Sequence, residues 1–383
     1  MSTQLKYVPI FRGRMQEFEV LKSFNFGNNI YPYLEIIKEV IRKDPKPRKG
    51  AKKPSNPKQK KSFEDDYLPF ISNIDAKQVF LDLPVHLEEG KGMKIETLEF
   101  LRSVVKKREI RTEYIKKLIP LGPKVIPVIS TYSEVNGEIG SISIQEWQIR
   151  PYFKRLAFRT FPKTFDRDLP QIRDSINDND YIIMDWGNLE LDLDDGEIQD
   201  IVGQLIELDC HIITHRNSFP TDITMSGLEH DKIVESIDNS LMDKYKELAG
   251  DCFSDYTGIK KDGISKGASI SPGFIYYDAV YNQFYGYRYR FGGHKKNDVK
   301  PKLDEFETRI TPSVINSDAT RRMQNHSLDF LGVNNKGWSI LKNIELGVQR
   351  GGESGRSPAK FKRIGMEHYL HCIRCKISNG DFD

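Results

Sequence analysis

Residues 181–184, Tyr-Ile-Ile-Met, form an apolar run that ends in a carboxylate, Asp185, and leads through a polar loop into a helical pattern from Asp195. A run without alternation is what a strand covered on both faces requires. The form returns along the first two thirds of the chain. Tyr7–Phe11 leads to Arg12 and Glu17, 30–37 holds Glu35, and 79–83 holds Asp82. Further on, 124–131 holds Ser130, 156–161 holds Arg159, 210–216 ends in His215 and Arg216, and 253–257 holds Asp255. Most runs are separated by a segment long enough for a helix. Eight such units predict an α/β chain of the (β/α)8 TIM-like barrel class, a fold of typically roughly 250 residues. A doubly wound open sheet produces the same alternation and is the alternative. In a barrel, the loops after the strands build the active face, so polar groups at strand ends are candidate functional groups.

The chain has 383 residues, which divides naturally into a barrel over 1–257 and an appended C-terminal α+β module over 258–383. The module is expected to be poor in apolar residues and to pack on the barrel. It opens with two aromatic runs, 274–280 and 284–291, around Tyr281-Asn282-Gln283, which predict a β-hairpin. Residues 367–377 read as a closing strand. In the barrel half, 95–118 reads as one long amphipathic helix. Stripes at Ile198, Ile201, Val202, Leu205 and Ile206, and at Ile233, Ile237, Leu241 and Tyr245, predict two more.

Residues 42–61 are the sharpest shift in composition, with ten Lys/Arg, four prolines and one acidic residue. Such a segment cannot pack a core and is expected to be an exposed loop inserted after the second strand. Lys52 and Lys53 at its centre are candidate contacts for a polyanion, since phosphate neutralisation by Lys/Arg drives such binding. A solvated insertion without a role is the alternative. The overall net charge is only +3, so no global field commits the chain to nucleic acid.

No apolar stretch reaches the roughly 18 residues of a transmembrane helix, and no secretory signal opens the chain. Four cysteines in this length suit a reducing compartment. The expectation is a cytoplasmic protein without a membrane partner. The oligomeric state stays open.

Several motifs carry a resemblance. Tyr-Val-Pro-Ile-Phe-Arg-Gly-Arg-Met-Gln-Glu-Phe-Glu-Val-Leu, from Tyr7, resembles the opening of the beta family found in phages, phage satellites and bacterial genomes. Glu17 falls on the family glutamate, while Gln16 replaces the glycine before it. Tyr31-Pro32-Tyr33-Leu34-Glu35-Ile36 resembles the family's Pro-Leu-Ile-Glu-Ile. Asp82 and Asp185 match two strand-end aspartates, Ser218-Phe219-Pro220 matches a Ser-Phe-Pro, and Phe253-Ser254-Asp255-Tyr256 resembles a Gly-Asp-Tyr. Glu367-His368-Tyr369-Leu370 resembles an Asn-His-His-Ile of which His368 is kept. The resemblance spans most of the chain. It implies a setting in mobile elements and anti-phage defence, and it supplies no catalytic residues.

Glu17, Glu35, Asp82, Asp185 and Asp255 sit at or just after strands, with His368 as a further candidate from the C-terminal segment. Convergent carboxylates bind hard divalent cations, so Glu35, Asp82 and Asp185 are candidate ligands for Mg²⁺ or Mn²⁺. Arg12, Arg159 and Arg216 are candidate phosphate contacts. The alternative is that the carboxylates cap helices, bond loop amides or pair with these arginines. His368, His371, Cys372 and Cys375 have zinc-type side chains, but a strand would send alternate pairs to opposite faces. No Walker loop, no Gly-x-Gly-x-x-Gly after a strand and no nucleophile elbow is present. Two functions follow as expectations. One is an enzyme, such as a metal-dependent phosphodiesterase or nuclease, acting on a nucleotide or nucleic acid. The other is a non-enzymatic sensor that binds a phage or operon-encoded protein.

Overall fold

A computed structural model describes residues 4–41, 61–87, 89, 93–260, 273–288, 303–350 and 353–383. Its strands in chain order are β1 (Tyr7–Phe11), β2 (Tyr33–Glu35), β3 (Val79–Asp82), β4 (Val125–Ser130), β5 (Ala157–Thr160), β6 (Tyr181–Asp185), β7 (His211–His215), β8 (Lys232–Ile233), β9 (Cys252–Asp255), β10 (Gly273–Asp278) and β11 (Gln283–Arg288). β1 to β7 and β9 close a parallel barrel, with β9 pairing back to β1. The chain is therefore a (β/α)8 barrel, and the eight apolar runs are its eight strands. They lack alternation because both faces are covered.

Period two still governs which face a residue occupies. Val8, Ile10, Tyr33, Phe80, Ile126, Val128, Ala157, Ile183 and Ile213 fill the barrel interior. Tyr7, Phe11, Leu34, Leu81, Phe158, Ile182, Met184 and Phe253 face out, into the core shared with the helices. Continuing the inward set by two residues at the strand ends gives Arg12, Glu35, Asp82, Ser130, Arg159, Asp185 and His215, and on β9 the inward Cys252 is followed by Ser254 and then Tyr256. A layer of polar groups thus caps layers of apolar ones at the C-terminal mouth.

β8, β10 and β11 form a small antiparallel sheet that includes the expected hairpin. The stripe from Ile233 to Tyr245 is not one helix. Ile233 pairs with Tyr285 on the hairpin edge, and only Leu241–Lys244 is helical. The intervening Ser236, Asp238, Asn239 and Ser240 favour turns over helix. The segment 95–118 is likewise two helices, Ile95–Lys106 and Arg108–Lys116, divided at Lys107 in an extended conformation.

The expected closing strand is a helix, Pro358–Asn379, capped by Ser357 and ended by Gly380 in the left-handed region. Phe361, Ile364, His368 and Cys372 are buried on it at spacings of three and four. Nor is the C-terminal segment poor in apolar residues. Phe306, Ile310, Leu341, Phe361 and Tyr369 join the same outer core as Tyr7 and Phe253. Among the described residues, no helix is long and apolar enough to cross a membrane.

Candidate functional site

The mouth is organised around Arg159 of β5. Its Nη1 lies 3.2 Å from Glu35 Oε1 and 3.2 Å from Asp82 Oδ2, and its Nη2 lies 2.6 Å from Asp185 Oδ2. Nη1 also donates to the Tyr33 hydroxyl at 3.0 Å, and that hydroxyl donates to Asp82 at 2.8 Å. Two further arginines complete the pairing. Arg12 Nε lies 2.9 Å from Glu35 Oε2, and Arg111 Nη2 lies 2.8 Å from Asp82 Oδ1. Three carboxylates are therefore matched by three guanidinium groups, all almost wholly buried. Burial alone would raise the Glu35 carboxyl, but Arg12, His86 and Arg159 together hold it well below the usual range.

Sequence reasoning placed Glu17, Glu35, Asp82, Asp185 and Arg159 near one face of the barrel; the structure brings Glu35, Asp82, Asp185 and Arg159 together, and Arg12 joins them. The other candidates lie elsewhere. Glu17 accepts from the backbone N–H of Arg12 at 2.7 Å and of Arg14 at 3.2 Å, so it caps the helix Met15–Ser23. Asp255 is outward-facing. It accepts from Tyr7 OH at 2.6 Å, from Thr257 N at 2.7 Å and from the Tyr369 hydroxyl on the C-terminal helix. His368 is buried against Tyr276, accepts from Asn335 at Nδ1 and donates from Nε2 to the Tyr277 carbonyl. Burial holds its imidazole down at about 4. Arg216 bonds the Leu189 carbonyl and pairs with Asp238. Lys52 and Lys53 lie outside the described residues. Of the basic run, Lys61 is described; it is exposed and bonds Asp66, which also accepts from Ile41 N.

Two residues of the mouth had no signal in a strand pattern. Arg111 enters from an outer helix, and His86 lies in the loop after β3, with Nε2 3.5 Å from Glu35 Oε1. A third, His215, was visible as a strand end, but its partner was not. Ser254 Oγ donates to the Val8 carbonyl at 2.7 Å, so His215 Nδ1, at 3.0 Å, is the donor to Ser254. That leaves Nε2 toward Asp185 Oδ1, 3.8 Å away.

The arrangement does not fit a divalent ion. Where Glu35, Asp82 and Asp185 converge, the Arg159 guanidinium already supplies the positive charge. Among the described residues, no group of three or more His, Cys, Asp or Glu side chains is placed to hold a metal. The His368/Cys372 and His371/Cys375 pairs are no exception, since His368 and His371 are each bonded to a backbone carbonyl.

Beside the mouth, a narrow cleft is lined by Arg12, Arg14, Glu17, Tyr256, Lys260 and Lys362. Four cationic side chains and Glu17 line it; Arg12 is also paired with Glu35, and Lys362 lies 3.8 Å from Glu17. The cleft is closed to about 10 Å³, the room of roughly one water. A larger depression of about 600 Å³ lies at the opposite end, among the loops leading into β5, β6 and β7. That end of a barrel ordinarily serves stability.

A family model described as Beta protein matches residues 7–374. The chain belongs to the Beta protein family. The match covers the barrel strands, the hairpin and almost all of the last helix. Comparisons with curated proteins and with solved structures returned no match.

Proposed function

We propose that this Beta-family chain is a non-enzymatic recognition module whose barrel rim binds a phosphate-bearing ligand, a nucleotide or nucleic acid, in anti-phage defence. The observation that carries the reading is the cleft beside the mouth, where Arg12, Arg14, Lys260 and Lys362 are gathered with Glu17. Arginine and lysine at close quarters favour phosphate oxygens. Of the neighbouring carboxylates, Asp82 and Asp185 are matched by Arg111 and Arg159, while Glu35 is matched by Arg12 of the cleft itself, which leaves Arg14, Lys260 and Lys362 as the cleft cations outside the mouth's pairing. The same pairing weighs against a metal-dependent phosphodiesterase, whose carboxylates must be available to the metal. The defence setting rests on family resemblance.

Titration with inorganic phosphate, a nucleoside triphosphate and a short oligonucleotide at low salt tests the proposal. Arg14→Ser and Lys362→Ser should each weaken binding, and the double variant should flatten the salt dependence by about one unit of slope per lost phosphate contact. Full binding by the double variant would remove the cleft as the site. Steady conversion of the bound ligand to product would show an enzyme instead.

A further inference from the structure

Phe161 is the next inward position above the Arg159 layer. It follows β5 with an extended backbone, φ −129° and ψ 154°, so period two sends its side chain the same way as that of Arg159. The Arg159 guanidinium lies 5.7 Å from the centre of its ring. The His86 ring, on the loop after β3, lies 5.6 Å from it at an angle of 55°. Both side chains are partly exposed, while the apolar side chains in the barrel below them are buried.

These rings adjoin the basic cleft. His86 Nε2 lies 3.5 Å from Glu35 Oε1, and the second oxygen of that carboxylate pairs with Arg12 of the cleft at 2.9 Å. The positive charge also runs on past the cleft. The Lys38 ammonium is pushed down by burial and then by Lys94 and Arg14 close by. Lys260 follows β9, Arg14 follows β1, Lys38 follows β2, and Lys94 lies between β3 and the next helix. Those four strands are consecutive in the barrel, so the cations form an arc along the rim, with Lys362 beside it on the last helix. The cleft itself has room for roughly one water, so a phosphate meets its cations at the surface, in line with that arc.

We infer that the mouth binds single-stranded nucleic acid, with the backbone along the arc of cations and one base against Phe161 and His86. This rests on the reading of the cleft as a phosphate site and names its ligand. Every base has a π face, so rings beside a basic track hold a strand without reading its sequence. A duplex keeps its bases stacked inside and has to give one up before the rings can take it. A free mononucleotide leaves the far end of the arc, Lys38 and Lys94, unused.

Fluorescence anisotropy at low salt tests it with a labelled oligothymidine of about twelve nucleotides, within the site sizes of single-strand binders. An abasic strand and a duplex of equal length are the comparisons. The parent should bind the oligothymidine more tightly than either, by about tenfold over the abasic strand, the scale of one stacked base. Phe161→Leu keeps an apolar cover over Arg159 but has no π face, and should bring the oligothymidine down to the level of the abasic strand. Phe161→Trp should keep the difference. Arg14→Ser/Lys362→Ser should weaken both strands alike. A second measurement needs no variant to fold: irradiating the parent with a strand carrying 5-iodouracil should cross-link the base to the segment holding His86 or Phe161. Equal binding of oligothymidine and abasic strand by the parent would overturn the inference and leave the phosphate reading standing. So would a duplex bound as tightly as the oligothymidine, a folded Phe161→Leu that binds like the parent, or cross-links confined to other segments. If inorganic phosphate binds and no strand does, this inference alone falls; if neither binds, both readings fall.

Discussion

Arg111, on a helix outside the barrel, donates to Asp82 inside it at 2.8 Å. Its guanidinium also bonds the Leu83 carbonyl, the Val128 carbonyl and Gln145, so it reaches the mouth from between β3 and β4. Both partners are fully buried. Lys107, extended, separates the helix carrying Arg111 from the one before it, which lets this helix take its own orientation. The contact ties the outer layer to the site.

Arg111→Met should therefore be strongly destabilising. It keeps an aliphatic stem but leaves the buried Asp82 short of a cation and two carbonyls short of a donor. Breaking a buried ion pair from one side costs on the order of 3–5 kcal/mol. Arg111→Lys should recover only part, because one ammonium cannot reach acceptors spread around a planar fork. Urea unfolding of both variants measures this. A loss for Arg111→Met below about 0.5 kcal/mol, the scale of an ordinary surface change, would contradict the reading.

What the residues disclosed in advance follows from period two. Glu35, Asp82, Arg159 and Asp185 extend inward-facing apolar positions, so strand-end position alone placed them at the mouth. Asp255 has the same strand-end character but faces out, beside Phe253, and only the register with β1 reveals it. Arg111 is indistinguishable in sequence from the surface arginines of an amphipathic helix. Ile233 fits a helical stripe, yet the free edge of a distant hairpin claimed it for a strand. His368 sits in a segment whose apolar residues suit either a short strand or a helix. Its capping residues, Ser357 and Gly380, lie outside the stretch that reads as a strand. Each miss comes from tertiary contact overriding a local pattern.

Gly337 marks where the helix Lys336–Arg350 crosses the last helix. A Cβ there would lie 2.4 Å from the Ile364 carbonyl oxygen and 2.7 Å from His368 N. Both are backbone atoms, so no side chain can swing aside. Gly337→Ala should destabilise by about 1–3 kcal/mol through overpacking, despite the better helix propensity of alanine. Thermal melting of the single variant decides it; an unchanged or raised melting temperature would mean the two helices separate freely.

Asp255 links three parts of the chain, since Tyr7 of β1 and Tyr369 of the last helix both donate to it. Tyr369→Phe and Tyr7→Phe should each cost about 1.5–3 kcal/mol, the range for hydrogen bonds to a charged group. Because the two hydroxyls share one carboxylate, the double variant should depart from the sum of the singles. A double-mutant cycle by denaturant unfolding reads the coupling. Strict additivity would show that the phenols act on Asp255 independently.

His368 gives the chain an acid sensitivity with a definite sign. Burial pushes its imidazole down from 6.5 to about 4, while Nδ1 accepts from Asn335 and Nε2 donates to Tyr277. The unfolded chain therefore takes up a proton before the folded one does. Stability is fully present above the ordinary value of 6.5 and is lost as pH falls toward about 4. A shift of this size corresponds to roughly 3 kcal/mol. His371 is held down by burial as well and adds to the loss in the same direction. His368→Gln isolates the first contribution. Its amide can accept from Asn335 and donate to Tyr277, yet it never titrates. The variant gives up the ring stacked on Tyr276, so it should start less stable at neutral pH. Its stability should then fall less steeply than the parent's across the same window. Urea unfolding of both proteins, measured above, within and below that window, compares the two slopes. Parallel slopes would mean that His368 takes up its proton equally readily in the folded and unfolded chains.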